Sequence, residues 1–561
     1  MRSRRRQKKS RLSLGCLTAI LFLMVICAIG IYGYNVFGPT KERVDLASWY
    51  DGEDQGGSAL YLNYEKQGCR GIYENGQTYL PVEWVNEYLN KRFYWDAEER
   101  ILIYALPDEI VTAGTDALGS DGQPLLLEKE DGVYLSLGLI LNYTDVRYQL
   151  YDSGEVKRVY VENTWDAETK AKVRWSGKVR RMGGYKSPIL TEVKRGAQVT
   201  VLETMEHWSK VMTEDGHIGY MYNKKLSAPY EEIPVSSFEA PVYRNISLDE
   251  KITLVWHQIT VQAANGKLEE LVDAAGDINV IAPTWFTLSD NEGNYESLAS
   301  KAYVDKAHEK GLQVWAVVDN FSKECSSNVQ SEVLLSKTSV RRKLIDKLMK
   351  EAETYGFDGI NLDFESLKAE AGVHYLQFIR ELSVFCREKG LVLSVDNYVP
   401  APYNRFYDQK EQGIVADYVI IMGYDEHYAG GDIGSVSSIG YVQNGIEDML
   451  ELVPKEKVVN AVPFYTRLWT KNGEQISSKA MGIKEAQKWI EANGMKLSWN
   501  EETGQYYGEL ETDEGTKMLW MEECESLALK MNLIKEHDLA GVAAWKLGME
   551  PANVWDVIRW E

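Results

Sequence analysis

Eight apolar runs between residues 250 and 561 constrain this chain more than any other feature. They are ITLVWHQIT (252–260), INVIAPTWFTL (278–288), LQVWAVVDNF (312–321), GINLDFE (359–365), LVLSVDNY (391–398), YVIIMGYDE (418–426), VVNAVPFY (458–465) and GVAAWKLG (541–548). Near-continuous apolar strands separated by helices indicate a parallel sheet covered on both faces. The segments between them have helical period. Val340, Leu344, Ile345, Leu348 and Ala352 share one stripe of 339–356. Tyr375, Ile379, Leu382 and Cys386 do the same in 371–389, and Gly390 follows as a helix stop. The fold class is therefore α/β, a (β/α)8 TIM barrel, for which about 250 residues is usual. The excess length lies between the seventh and eighth runs. There MKLSWNEETGQYYGEL and TKMLWMEE predict a pair of β-hairpins over the barrel mouth, an α+β insertion.

In such a barrel, function sits at the C-terminal ends of the strands. The fourth run, FDGINLDFES, places Asn361, Asp363 and Glu365 on one strand face and Ile360, Leu362 and Phe364 on the other. Tyr424 and Asp425 end the sixth run, Tyr465 and Arg467 the seventh, and Trp545 lies in the eighth. Carboxylates converging among aromatic walls suit a sugar site, which needs stacking faces and a few placed polar groups.

Ahead of the barrel the texture differs. Residues 57–163 read as short strands and turns with an internal echo, in which 74–105 recurs loosely as 130–161. Residues 170–228 alternate apolar and polar residues in short strands with Gly turns, as a small barrel does. There Trp208 and Tyr220 read as packing residues before they read as a binding face. Residues 229–249, rich in Pro, form a linker to the barrel at 250–561.

The net charge is −22 although residues 1–13 hold seven Arg or Lys and no acid. A surface this acidic argues against nucleic acid as a partner, since phosphate contacts need a basic face. Residues 14–37 carry no charge and supply the roughly 20 apolar residues that span a bilayer. The basic flank places 1–13 in the cytoplasm and the rest outside, with a retained transmembrane helix expected over a cleaved signal peptide. Six scattered Cys without a CxxC pair and seven His without an HxxxH pattern imply no metal and no disulfide scaffold. No P-loop, GxGxxG or GxSxG stretch occurs, so no cofactor is expected.

These motifs carry a resemblance. DGINLDFE (358–365) resembles the D-G-x-D-x-D-x-E signature of glycoside hydrolase family 18, the chitinases and related N-acetylglucosaminidases. MGYDEH (422–427) resembles its M-x-Y-D motif, VPFYTRLW (462–469) its P-F-Y-x-R segment, and GVAAWKLG its strand-eight Trp. LWMEECESLALKMNLIKEHDLAGVAAWKLG and the APTWF of the second run look most like the branch acting on bacterial peptidoglycan and spore cortex. Residues 57–163 resemble the stalk-type repeat of copper amine oxidases, without its metal chemistry. Residues 170–228 resemble bacterial SH3-like domains.

The resemblance implies a substrate-assisted, retaining hydrolase, an exception to the usual two-carboxylate scheme. Glu365 would be the acid and base, Asp363 would orient the 2-acetamido group, and Tyr424 would bond its oxygen. Asn361, Asp358, Met422, Asp425, Tyr465, Arg467, Trp545 and Trp285 are the substrate-binding positions it suggests, with peptidoglycan or another N-acetylglucosamine-containing glycan as partner. Two positions depart from the family. Asn361 stands where the family has its middle Asp, which predicts that Asp363 stays ionised over a wider pH range. VWAVVDNF lacks the S-x-G-G of typical chitinases, which favours peptidoglycan. The alternatives are a non-catalytic glycan-binding protein on the same barrel, or a chitinase or endoglycosidase.

Overall fold

The computed structural model describes residues 14–50, 57–153, 156–320 and 329–560. The basic tail 1–13 expected in the cytoplasm, and Phe321 at the end of the third apolar run, lie outside them. The chain forms two compact units, Met1–Lys91 with Thr115–Ala240, and Arg92–Gly114 with Pro241–Glu561.

The first unit begins with the exposed helix Leu14–Phe37, 24 residues long and apolar enough to cross a membrane by length and composition. Two seven-stranded sheets follow. The second of these packs Val179, Val199, Val211 and Met221 into its own core. Trp208 rests against Tyr185 and Tyr222, with ring centroids 5.2 and 5.6 Å away.

The second unit is the barrel. Its strands are β1 (Ile252–His257), β2 (Val280–Leu288), β3 (Gln313–Asp319), β4 (Gly359–Asp363), β5 (Val392–Tyr398), β6 (Tyr418–Met422), β7 (Val458–Pro463) and β8 (Gly541–Trp545). All neighbours pair in parallel, and β1 closes the ring by pairing with both β2 and β8. Side chains alternate along each strand. Leu254, Trp256, Val317 and Ile420 fill the interior, while Val255, Ile281, Val318 and Ile421 face the surrounding helices. The helical stripes are buried as their period predicts, in α1 (Thr338–Tyr355) and α2 (Ala369–Lys389). Gly390 ends α2 with φ +68°, a conformation Gly takes without a Cβ clash.

Residues 92–114, from the middle of the expected 57–163 module, pack with the barrel unit instead. They form a three-stranded sheet of Tyr94–Asp96, Ile101–Ala105 and Ile110–Gly114. Asp96 accepts 2.7 Å hydrogen bonds from both the backbone N–H and the hydroxyl of Thr338, at the start of α1. The residue preceding α1 is Lys337, whose side chain makes no cap bond, so Asp96 supplies the missing acceptor from a distant segment. Arg92 pairs at 2.8 Å with Glu411 of α3 (Gln409–Val415).

The insertion between β7 and β8 is larger than the expected pair of hairpins. It is a five-stranded antiparallel sheet in the order Gln475–Gly482, Tyr465–Asn472, Gly515–Met521, Gln505–Thr512, Leu497–Asn500, with helix Ile483–Asn493. The chain leaving β7 runs straight into Tyr465–Asn472, which offers both its edges to the hairpins.

Candidate active site

β4 carries Asn361 and Asp363 inward, at 0% and 6% exposure. Glu365 follows just beyond the strand end. Its backbone N–H donates to Asn320 Oδ1 at 2.9 Å, and Asn320 Nδ2 donates back to its carbonyl at 3.0 Å. Tyr398 of β5 donates its hydroxyl to Glu365 Oε2 at 2.8 Å. Burial pushes the Glu365 carboxyl above the usual range, the Tyr398 hydrogen bond opposes this, and the charge of Asp425 adds to it. A carboxyl kept protonated longer than usual is what a general acid needs.

Asp363 is pushed well above the usual carboxylate range, first by burial and then by Asp396, Glu365 and Asp319. Its Oδ1 is buried without a hydrogen-bond partner among the described residues. An unpaired acceptor at this depth is costly unless a ligand donates to it. The prediction that Asp363 ionises over a wider pH range because of Asn361 is therefore corrected: other carboxylates stand beside it, in the same buried space.

Tyr424 follows β6, buried, with its ring 6.1 Å from that of Tyr465. Tyr465 donates to Asp425 Oδ1 at 2.6 Å, and Arg467 Nη2 lies 3.9 Å from the same oxygen. Arg467 Nη1 also donates to Ser478, which ties it to the insertion sheet. Met422 lines the barrel interior, and Trp545, at the end of β8, lies 6.0 Å from Trp256. Glu365, Tyr424 and Asp425 open into a cleft of about 510 Å³ walled by Tyr398, Tyr403, Tyr428 and Tyr441. A cavity of similar volume, about 500 Å³, is lined by Arg405, Lys410, Asp448 and Glu451 and holds none of the motif residues.

Two expected positions lie away from the mouth, which corrects their assignment to the sugar site. Asp358 precedes β4; its carboxylate accepts from Val314 N–H at 2.8 Å and faces His308 Nε2 at 2.8 Å, at the N-terminal ends of the strands. Trp285 is three residues on from the inward-facing Ala282, so it points to the helices. It packs 5.1 Å from Tyr303 and donates to Asn265 Oδ1 at 3.0 Å.

Sequence reasoning missed Asp396 and Tyr398 of β5, Asp319 of β3 and Trp256 of β1. The β5 pair had a partial signal: in LVLSVDNY, Ser394, Asp396 and Tyr398 fall two apart, although Asn397 between the last two is polar as well. Asp319 shows only as a polar end to an apolar run, and Trp256 as one more apolar residue.

A closed (β/α)8 barrel, with an acid and a second carboxylate at the end of β4 opening on a tyrosine-walled cleft, has the architecture of a glycosidase. Residues 284–550 match the family model of glycosyl hydrolases family 18, and residues 175–227 match that of the bacterial SH3 domain. The barrel region is thus similar to family 18 glycosidases, and the segment that precedes it in the sequence to bacterial SH3 domains. It is 27% identical over 295 residues to the uncharacterized glycosylase YvbX of Bacillus subtilis (strain 168), covering 50% of this chain and 84% of that one. It is 29% identical over 248 residues to the cortical fragment-lytic enzyme of the same organism, covering 43% of this chain and 58% of the relative. The crystal structure of the spore cortex-lytic enzyme SleL of Bacillus cereus shares the fold, with TM-score 0.50 and 21% identity over 61% of this chain and 77% of that one.

Proposed function

We propose that the protein is a membrane-anchored, extracellular hydrolase that cuts β-1,4 bonds following N-acetylglucosamine in peptidoglycan. The observation that carries this reading is the division of labour between the β4 carboxylates. Glu365 is held at the cleft by Tyr398, while Asp363 turns an unpartnered oxygen inward, suited to accept an N–H. In the first step the 2-acetamido carbonyl oxygen of the sugar bonds to its own anomeric carbon. The glycosidic C–O bond breaks, and Glu365 gives its proton to the leaving oxygen. Asp363 accepts the acetamido N–H and stabilises the positive ring, Tyr424 donates to the acetamido oxygen, and Trp545 floors it. Water then attacks the anomeric carbon, reopens the ring and returns its proton to Glu365.

The helix Leu14–Phe37 would tether the chain, and the β-rich modules would space the barrel from the membrane and touch the wall. The relatives named for cortex lysis support a wall glycan over chitin. Digestion of purified peptidoglycan by the full chain in detergent tests the reading. New reducing ends on N-acetylglucosamine are expected, and the Glu365→Gln chain should lose about 10²- to 10⁴-fold in rate.

A further inference from the structure

The amide of Asn361 has only one way to sit. Trp256 Nε1–H, which can only donate, lies 2.9 Å from one end of it, so that end is the oxygen. The NH2 end therefore faces Ser394 Oγ at 2.9 Å and Asp396 Oδ1 at 2.8 Å, both on β5. Asn361 pairs across the sheet with Ser394 and Leu362 with Val395, so the next inward step sets Asp363 beside Asp396. On its other side Asp363 pairs with Asp319 of β3. Asp396 is 2% exposed and lies one strand away from the acid face, at the N–H of the amide that stands where the family signature carries a carboxylate.

We propose that Asp396 is a positioning residue for the glycosidase reaction: the carboxylate absent from position 361 of β4 is supplied from β5, where Asp396 shares one proton with Asp363. The inference rests on the glycosidase reading. When Asp363 accepts the acetamido N–H it must be ionised. Its O–H bond breaks, an O–H bond forms on Asp396, and the pair keeps one negative charge throughout. Asn361 holds Asp396 in place by donating to one oxygen, which leaves the other to carry the proton. Among the described residues, the other titratable groups that act on or feel Asp396 are Glu365, Tyr424 and, from α2, Tyr375, while Asp319 stands on the far side of Asp363. None of these is a cation, so a proton is the means at hand to neutralise the row. Burial holds Asp396 well above the usual range, the Asn361 hydrogen bond opposes this, and the charge of Glu365 adds to it.

The test uses the full chain with Asp396→Asn, Asn361→Asp, and the two combined. Asp396→Asn should lower kcat at least tenfold with a smaller change in KM, and shift the pH profile. Asn361→Asp alone crowds the row with a further carboxylate and should also lose activity. The double variant returns the carboxylate to β4 and should recover most of the rate. An unchanged kcat and pH profile in Asp396→Asn, or a double variant no better than that single one, overturns the proposal. Thermal unfolding against pH reads the same proton without any substrate. Carboxyls with raised folded values stabilise below their unfolded range and lose that contribution as pH rises through the folded value. The wild-type melting temperature should therefore fall with rising pH, less steeply in Asp396→Asn, and regain its slope in the double variant. An inactive wild type that keeps this pattern counts against the substrate reading alone, and equal slopes in all chains count against the proton.

Discussion

At the scale of single residues, the acid role proposed for Glu365 turns on how its buried carboxyl holds a proton. Burial and the charge of Asp425 raise the affinity of Glu365 for the proton, and the Tyr398 hydroxyl, 2.8 Å from Oε2, lowers it by bonding the ionised form. Tyr398→Phe removes the lowering influence. The alkaline limb of kcat/KM, which reports the acid of the free enzyme, should then move to higher pH. A limb that stays or moves down would show that Tyr398 does not govern the acid. At this scale the sequence was partly legible. A period of two was enough to place Asn361, Asp363 and Glu365 on one face. The same period in LVLSVDNY pointed to Asp396 and Tyr398, but the run reads first as a buried strand. Asp358 misled because a motif lists residues by spacing, whereas a strand sends its start and its end to opposite rims of the barrel, and Trp285 misled because it lies on the outward face of β2.

At the scale of elements, the barrel strands were legible because parallel strands covered on both faces are apolar nearly throughout. The third run, 312–321, holds the strand Gln313–Asp319 with little excess. The docking of residues 92–114 was not legible, since both copies of the echo have the same local strand, helix and hairpin pattern. What distinguishes the first copy is long-range: Asp96 caps α1, and Arg92 joins Arg380 of α2 in a buried ion pair with Glu411, at 2.8 and 2.9 Å. Removing one partner of such a group strands the others in a low-dielectric interior. Glu411→Ala should cost about 3–5 kcal/mol in denaturant unfolding, whereas Lys301→Ala, which removes the exposed ion pair of Lys301 with Asp305, should cost under about 1 kcal/mol. A Glu411→Ala chain as stable as wild type would mean that the hairpin contributes little to the barrel.

At the scale of the whole molecule, an apolar helix precedes two β-rich sheets and a glycosidase barrel in a chain of net charge −22. If Leu14–Phe37 spans the bilayer, the chain should sediment with membranes and leave them only in detergent, because roughly 20 buried apolar residues hold far more firmly than surface charge. Release by high salt or alkaline washing would contradict a span. The central claim, that Glu365 cuts after N-acetylglucosamine, is tested most directly by mass spectrometry of peptidoglycan digested with the full chain and with Glu365→Gln. Fragments ending in reducing N-acetylglucosamine are expected from the wild type and almost none from the variant. Fragments ending in reducing N-acetylmuramic acid, or equal digestion by the two chains, would contradict it.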